Sequence, residues 1–389
     1  MNRNRPTILR RQEPLRVGFM PVSDCAPLVV AHETGLFAKY DLDVELVRES
    51  DWASIRDKTI NGDLDAAHAP AALPFLSNLG VDSDPCACVS GLVLSLEGNA
   101  ITLSRRLWES GVHNATTLRD EIYRNWGKRT YTFAVPNPLS SQSVLLRQWF
   151  KTAGIVTDVE LRIVAVPPEQ MFPTLKLGYI DGYCVGEPWT SVAVEAGAGV
   201  CVATSAELSP LHPEKVLMVR QSFAAGRSDE HERLLAALLE ACAFCDRPEN
   251  RPLISEMLAH PHYVNAPADN SKVSLFSSLR GGKEIQPSLL DLNIFHRHNT
   301  NEPSDEKAAW IIERLYELLD KRPSRHPVAG PTPVLKNIFR RDIYLRAEGL
   351  LDAQKRMHAA VEPESCRPLA IHAAQVETGL FSLRLQAAS

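Results

Sequence analysis

No apolar run in the chain approaches the ~18 residues needed to span a bilayer, so a transmembrane helix is excluded. The opening stretch MNRNRPTILRRQEPLRVGF also lacks the apolar core of ~7–15 residues that marks a secretory signal. Arg10-Arg11 runs into Gln12, Glu13 and Pro14, which is wrong for a twin-arginine signal, and a cytoplasmic location is the expectation. Eight cysteines in 389 residues show no disulfide-scaffold spacing. Cys86-Ala87-Cys88 and Cys242-Ala243-Phe244-Cys245 lie over 150 residues apart, unlike the paired knuckles of a zinc ribbon. Cys242 and Cys245 sit in RLLAALLEACAFCD, an apolar helical pattern that reads as core. No charge of one sign dominates: 42 basic and 47 acidic residues leave −5, with no nucleic-acid footprint. No nucleophile–base pair or metal cluster stands out, so a non-enzymatic protein with no cofactor is expected.

What the sequence does have is one pattern written twice. LRVGFMPV (15–22) reads as a strand, and APLVVAHETGLFAKY as a helix that Asp24 can cap. DVELVRE (43–49) alternates as a strand, DWASIRDKTIN is a helix stopped at Gly62, and LDAAHAP is a third strand. From Tyr131 the order returns: TYTFAVP strand, SSQSVLLRQWFKTAG helix, VELRIVAV strand, PEQMFPTLKLG helix, IDGYCVG strand. The phrases before the last strand of each set match, Gly62-Asp63-Leu64-Asp65-Ala66 against Gly178-Tyr179-Ile180-Asp181-Gly182. Strands alternating with helices imply parallel sheets, and two such sets imply two lobes with ligand at the strands' carboxyl edges.

At 389 residues there is room for both lobes and an appendage. Residues 15–103 with 208–300 are expected as lobe 1, 104–207 as lobe 2, and 301–389 as a helical C-terminal extension with a Pro-rich connector, KRPSRHPVAGPTPVLKNIFRR. AITLS (100–104) and KVLMV (215–219) flank the second set as candidate crossover strands. Residues 229–260 and 305–320 read as helices.

Four ordered stretches, SDWASIRDKTINGDLDAAHAP, GLVLSLEGNAITLS, AVPPEQMFPTLKLGYIDGYCVGEPW and LHPEKVLMV, resemble the nitrate- and bicarbonate-binding proteins of ABC transporters. They are most similar to the cytosolic branch of NasS-type nitrate/nitrite sensors. The resemblance implies an α/β, two-lobed type II periplasmic-binding-protein fold, each lobe a mostly parallel sheet flanked by helices. It implies nitrate or nitrite in the cleft, and an RNA-binding antitermination regulator of the ANTAR type as partner. The alternative is a substrate-binding component that delivers anion to an ABC permease. Thiamine-pyrimidine synthases share the fold, but their cysteine-rich iron motif is missing.

Nitrate has four heavy atoms, so at ~1.5 kcal/mol per atom binding reaches about −6 kcal/mol. Tighter binding needs buried, charge-assisted hydrogen bonds. By resemblance Lys215 matches a lysine lining the nitrate cleft, where bicarbonate binders tend to carry an acid; its bland alternative is a solvated lysine. Trp52 opens a helix and offers an indole N–H, with core packing as the alternative, and Ser54 adds a hydroxyl. Gln142 stands where relatives usually have His, keeping a neutral donor that cannot become cationic. Pro168 and Val185 match cleft-lining positions, and Asn99 could donate an amide beside the first crossover. Glu187 reads as a hinge or scaffold residue paired with an arginine, and Trp189 as packing.

Overall fold

The computed structural model describes residues 13–265, 279–280, 283–284, 292–320, 335 and 337–361. The Pro-rich connector expected after Lys321 lies almost wholly outside these residues.

The duplicated pattern folds as two sheets with one wiring. In the first, β1 (Leu15–Phe19), β2 (Val44–Arg48) and β3 (Ala66–Pro70) run parallel in the order β2-β1-β3. In the second, β6 (Tyr131–Val135), β7 (Leu161–Ala165) and β8 (Gly182–Gly186) repeat that as β7-β6-β8. Each trio is extended by antiparallel strands. β10 (Pro213–Arg220), β4 (Cys88–Glu97) and β11 (Asn293–Ile294) follow β3, while β5 (Asn99–Ser104) and β9 (Gly199–Thr204) follow β8. Of the two candidate crossover strands, Ala100–Ser104 therefore lies in the second sheet and Lys215–Val219 in the first.

The chain leaves the first sheet at Gly98, between β4 and β5, and returns between Thr204 and Pro213. The second sheet thus begins at residue 99 rather than 104, because Gly98 is where the backbone can turn. Its φ is +93°, and a Cβ there would stand 1.9 Å from the Asn293 side chain, so only glycine fits. The two crossings are tied together: Glu97 N donates to His212 O at 3.1 Å, and Glu97 Oε1 accepts from Leu211 N at 2.6 Å.

Helices follow the expected punctuation, with differences that have local causes. The first reads as one segment but is α1 (Ala26–Glu33) and a separate turn Leu36–Lys39, broken by Gly35 at φ +74°. Asp24 does not cap it; the N-cap is Cys25, with no side-chain bond. α2 (Trp52–Asn61) is capped by Asp51 and stopped by Gly62 at φ +86°. α3 (Ser141–Thr152) takes Ser140 as its cap, and α4 (Pro168–Lys176) opens on proline. α5 (Ser228–Cys245) buries Leu234, Leu235, Leu238 and Leu239 against the first sheet, and with them Cys242 and Cys245.

The region from 301 packs into the body. α6 (Asp305–Leu319) buries Ile311, Leu315 and Leu318 with Phe75, Val93 and Val216 of the first lobe and Leu139 and Val144 of the second. α7 (Arg341–Val361) seats Ile343, Tyr344 and Ala347 on the α5 side of the first sheet. The cause is amphipathicity: isolated, these helices would leave their apolar stripes in water. Residues through Leu351 form one contact unit, and Asp352–Ser389 a second.

Candidate functional site

The carboxyl edges of both parallel trios face a common group of buried polar residues. From the first lobe come Asp24, in the turn after β1, His68, near the end of β3, and Lys215, which pairs with Pro70. Glu214 joins them through an irregularity. Consecutive strand residues point to opposite faces, but the β10–β4 register shifts at Pro213/Lys215 and again at Lys215/Val216. Both side chains reach the same place, and Lys215 Nζ donates to Glu214 Oε1 at 2.6 Å. Lys215 Nζ also lies 2.8 Å from Asp24 Oδ2, and 5.5 Å from the centre of the Trp52 ring.

From the second lobe come uncharged donors. Ser141 and Gln142 open α3, where unpaired backbone N–H groups favour an anion. Gln142 Nε2 donates to Glu214 Oε1 and to Asn99 Oδ1, both at 2.8 Å, and Ser141 Oγ donates to Glu214 Oε2. Asn99 lies opposite Gly186 in the β5–β8 ladder; its Nδ2 is buried with no partner among the described residues. A backbone bond from Ser23 N to Glu187 O, 2.7 Å, crosses between the lobes beside this group. Apolar residues of both lobes, including Met20, Trp52, Val185, Met171 and Trp189, close one side. A cavity of ≈ 20 Å³, room for about one water, adjoins Ser141 and Pro213 and is roofed by Trp310 and Arg314 of α6.

Electrostatics decides what this group holds. Burial alone would discharge Lys215, but the Asp24 and Glu214 carboxylates raise its pKa above the ordinary lysine value. Burial likewise opposes Glu214 and Asp24, yet the Lys215 ammonium holds both below the usual carboxylate range, His212 helping at Glu214 and His68 at Asp24. His68, with Nε2 2.9 Å from Asp24 Oδ1, is lowered by burial and stays neutral. Two carboxylates therefore face one ammonium.

Of the candidates, Trp52, Asn99, Gln142 and Lys215 come together here, and Val185 contributes to the wall. Ser54 stands apart: its N–H and hydroxyl bond the Asp51 carboxylate at 2.7 and 3.2 Å, so the hydroxyl offered as a donor is already taken by an anion of the chain itself. Pro168 is buried at the first position of α4 and brings no polar group. Glu187 has no arginine partner among the described residues; Ser191 N is 3.2 Å from its Oε2, and burial pushes its pKa up to about 7. Trp189 is packing, as expected. Sequence reasoning missed Glu214, Asp24 and His68, although an ionisable residue inside an otherwise apolar strand or turn was a signal for each.

These features define a two-lobed protein of the periplasmic-binding-protein fold, with a group of buried polar residues between the lobes. The chain belongs to the NMT1-like family, which it matches over residues 10–259. It is 38% identical to the nitrate import ATP-binding protein NrtC of Synechocystis over 77% of its length, and spans only 45% of that relative. It is 28% identical to the nitrate/nitrite binding protein NrtA of Nostoc, over 76% of this chain and 69% of the other. Its fold matches the crystal structure of the periplasmic nitrate-binding protein NrtA from Synechocystis, with a TM-score of 0.79 at 23% identity over 88% and 90% of the two chains. Among the described residues no helix is long and apolar enough to cross a membrane, and no three His, Cys, Asp or Glu residues are placed to hold a metal.

Proposed function

We propose that this chain binds nitrate or nitrite between its lobes and works as a cytosolic, non-enzymatic sensor controlling an ANTAR-type antitermination regulator. The observation that carries the anion reading is the convergence of a buried cation from one lobe, Lys215, with uncharged donors from the other, Gln142 and Asn99. A small oxyanion can accept from both at once, and thereby favour the closed form. By the resemblance, bicarbonate binders tend to carry an acid where this chain has Lys215, which supports nitrate over bicarbonate. The sensor reading rests on the resemblance of the four motifs to the NasS-type branch. The cytosolic part of the proposal is in keeping with relatives named as ATP-binding import proteins, of which this chain spans about half. The test is the mass of the purified complex with an ANTAR-type regulator. Nitrate or nitrite at saturation should dissociate it, and a complex indifferent to both anions rejects the sensor reading.

A second reading is favoured by the similarity to NrtA: a substrate-binding component that hands the anion to an ABC permease. Cell fractionation separates the two. A cytoplasmic chain that co-purifies with the regulator fits the sensor, and one that co-purifies with a permease fits delivery.

A further inference from the structure

The residues assigned to a free anion already hold one. The Glu214 carboxylate is fully buried, and both of its oxygens are engaged. Oε1 accepts from Gln142 Nε2 at 2.8 Å and from Lys215 Nζ at 2.6 Å. Oε2 accepts from Ser141 Oγ and lies 3.3 Å from His212 Nε2. Gln142 and Ser141 belong to the first turn of α3 in the second lobe, whereas Glu214 itself is carried by β10 of the first. A carboxylate and a nitrate both present a flat O–X–O edge, both accept charge-assisted hydrogen bonds, and both are favoured at a helix start. Between Pro213 and Lys215, β10 advances two residues against one of β4, and at this irregularity the Glu214 and Lys215 side chains meet, so the carboxylate is delivered by the backbone itself.

We infer that Glu214 is a tethered surrogate ligand: it occupies the oxyanion position, holds the lobes together when no anion is bound, and must be displaced by an incoming anion. This deepens the reading above and depends on it only for the identity of the incoming ion. Free anion then exchanges one bridge between the lobes for another, instead of creating the first. A tether presents its group at a high effective concentration, so weakly bound anions fail to displace it. While Glu214 stays in place an incoming anion meets two carboxylates against one ammonium; once it swings out, Lys215 and Gln142 each lose one partner at the same spot, while Lys215 keeps Asp24 and Gln142 keeps Asn99. The device sets both the threshold and the selectivity of the site.

The test compares the full chain with Glu214→Ala and Glu214→Gln, by calorimetry with sodium nitrate and sodium formate and by small-angle scattering, at constant ionic strength in chloride. Nitrate should bind Glu214→Ala about tenfold or more tighter than the unaltered chain, the worth of one hydrogen bond to a charged group. The anion-free variant should scatter as a more open particle, and formate, the excised carboxylate, should restore the original profile. Glu214→Gln, which keeps the shape and loses the charge, should fall between and decides the matter if the alanine variant does not fold. Nitrate binding no tighter in the variants, with unchanged scattering and no effect of formate, overturns the inference while leaving the anion reading intact. An unaltered chain silent to nitrate beside a Glu214→Ala chain that takes up nitrate and formate supports the tether and removes the nitrate reading.

Discussion

The two halves of the molecule share a backbone and differ in charge. Asp65 and Asp181, the matched residues of the repeated phrase, do the same work in each. Asp65 Oδ2 accepts from Arg16 N in β1 at 3.0 Å and Asp181 Oδ2 from Thr132 N in β6 at 2.9 Å, and each carboxylate also pairs with an arginine, Arg227 and Arg129. Both lie at the amino-terminal end of the sheet, away from the ligand edge. At the other edge the likeness ends. The first lobe supplies Asp24, His68, Glu214 and Lys215; the second supplies Asn99, Ser141, Gln142 and a helix start. A repeat can encode how strands are ordered and tied without encoding what the site binds. The asymmetry is what lets one lobe hold a charge and the other clasp it.

The largest effect should come from breaking the charged half. Lys215→Met leaves two buried carboxylates without their ammonium, and removing one partner of a buried pair costs about 3–5 kcal/mol. Urea denaturation should show that loss, and adding Asp24→Asn should recover part of it, because the two sites share one interaction. A Lys215→Met chain of unchanged stability would mean that the ammonium is free for ligand and that the charged edge is not self-neutralised. The expected loss of stability also means that lost nitrate binding in a Lys215→Ala chain would report on folding as well as contact.

Next comes Glu187, at the seam between the halves. Burial raises its pKa from 4.5 to about 7. Between those values the unfolded chain gives up the proton before the folded chain does, so stability falls as pH rises through this window. The shift amounts to about 3 kcal/mol, fully lost above the folded value. Glu187→Gln should flatten stability against pH from about 4.5 to about 7 and gain most at the alkaline end. An identical slope in the two chains would show Glu187 ionised throughout and therefore paired.

How much of this was legible in the sequence follows from range. Strand alternation and helix stops at Gly62 and Gly178 are local, so the order of both trios could be read directly. Trp52, Asn99, Gln142 and Lys215 were singled out from the motifs that carry the family resemblance, and they do come together in the fold. Asp24 was misread as a cap because the local pattern of an acid before a helix is the same whether its carboxylate turns to the helix or to Lys215. Glu214 was missed for a stronger reason: as the neighbour of Lys215 on a strand it should face away, and only the register against β4, set by residues 120 positions earlier in the chain, brings it round. Ser54 looked available because the local signal that Asp51 caps this helix, and so takes the Ser54 N–H and hydroxyl three residues on, was not read. At the charged edge it was partners separated in sequence, rather than residue types, that remained hidden.

The smallest effects sharpen the comparison of the two matched aspartates. Their backbone bonds are equivalent, but Asp181 is buried beside Arg129 and Arg106, whereas the Asp65–Arg227 pair is partly open, with side chains 20% and 34% exposed. Asp181→Ala strands the Thr132 N–H and should cost about 2 kcal/mol, within the range for an unsatisfied buried donor. Asp65→Ala exposes Arg16 N to water that can replace the carboxylate, so it should cost about 1 kcal/mol or less. Added salt should shrink the Asp65 loss more than that of Asp181, whose carboxylate is buried although Arg129 and Arg106 are 36% and 67% exposed. If the order reverses, or salt acts equally on both, the repeated phrase does not serve the same purpose in the two halves, and the likeness stops at the order of the strands.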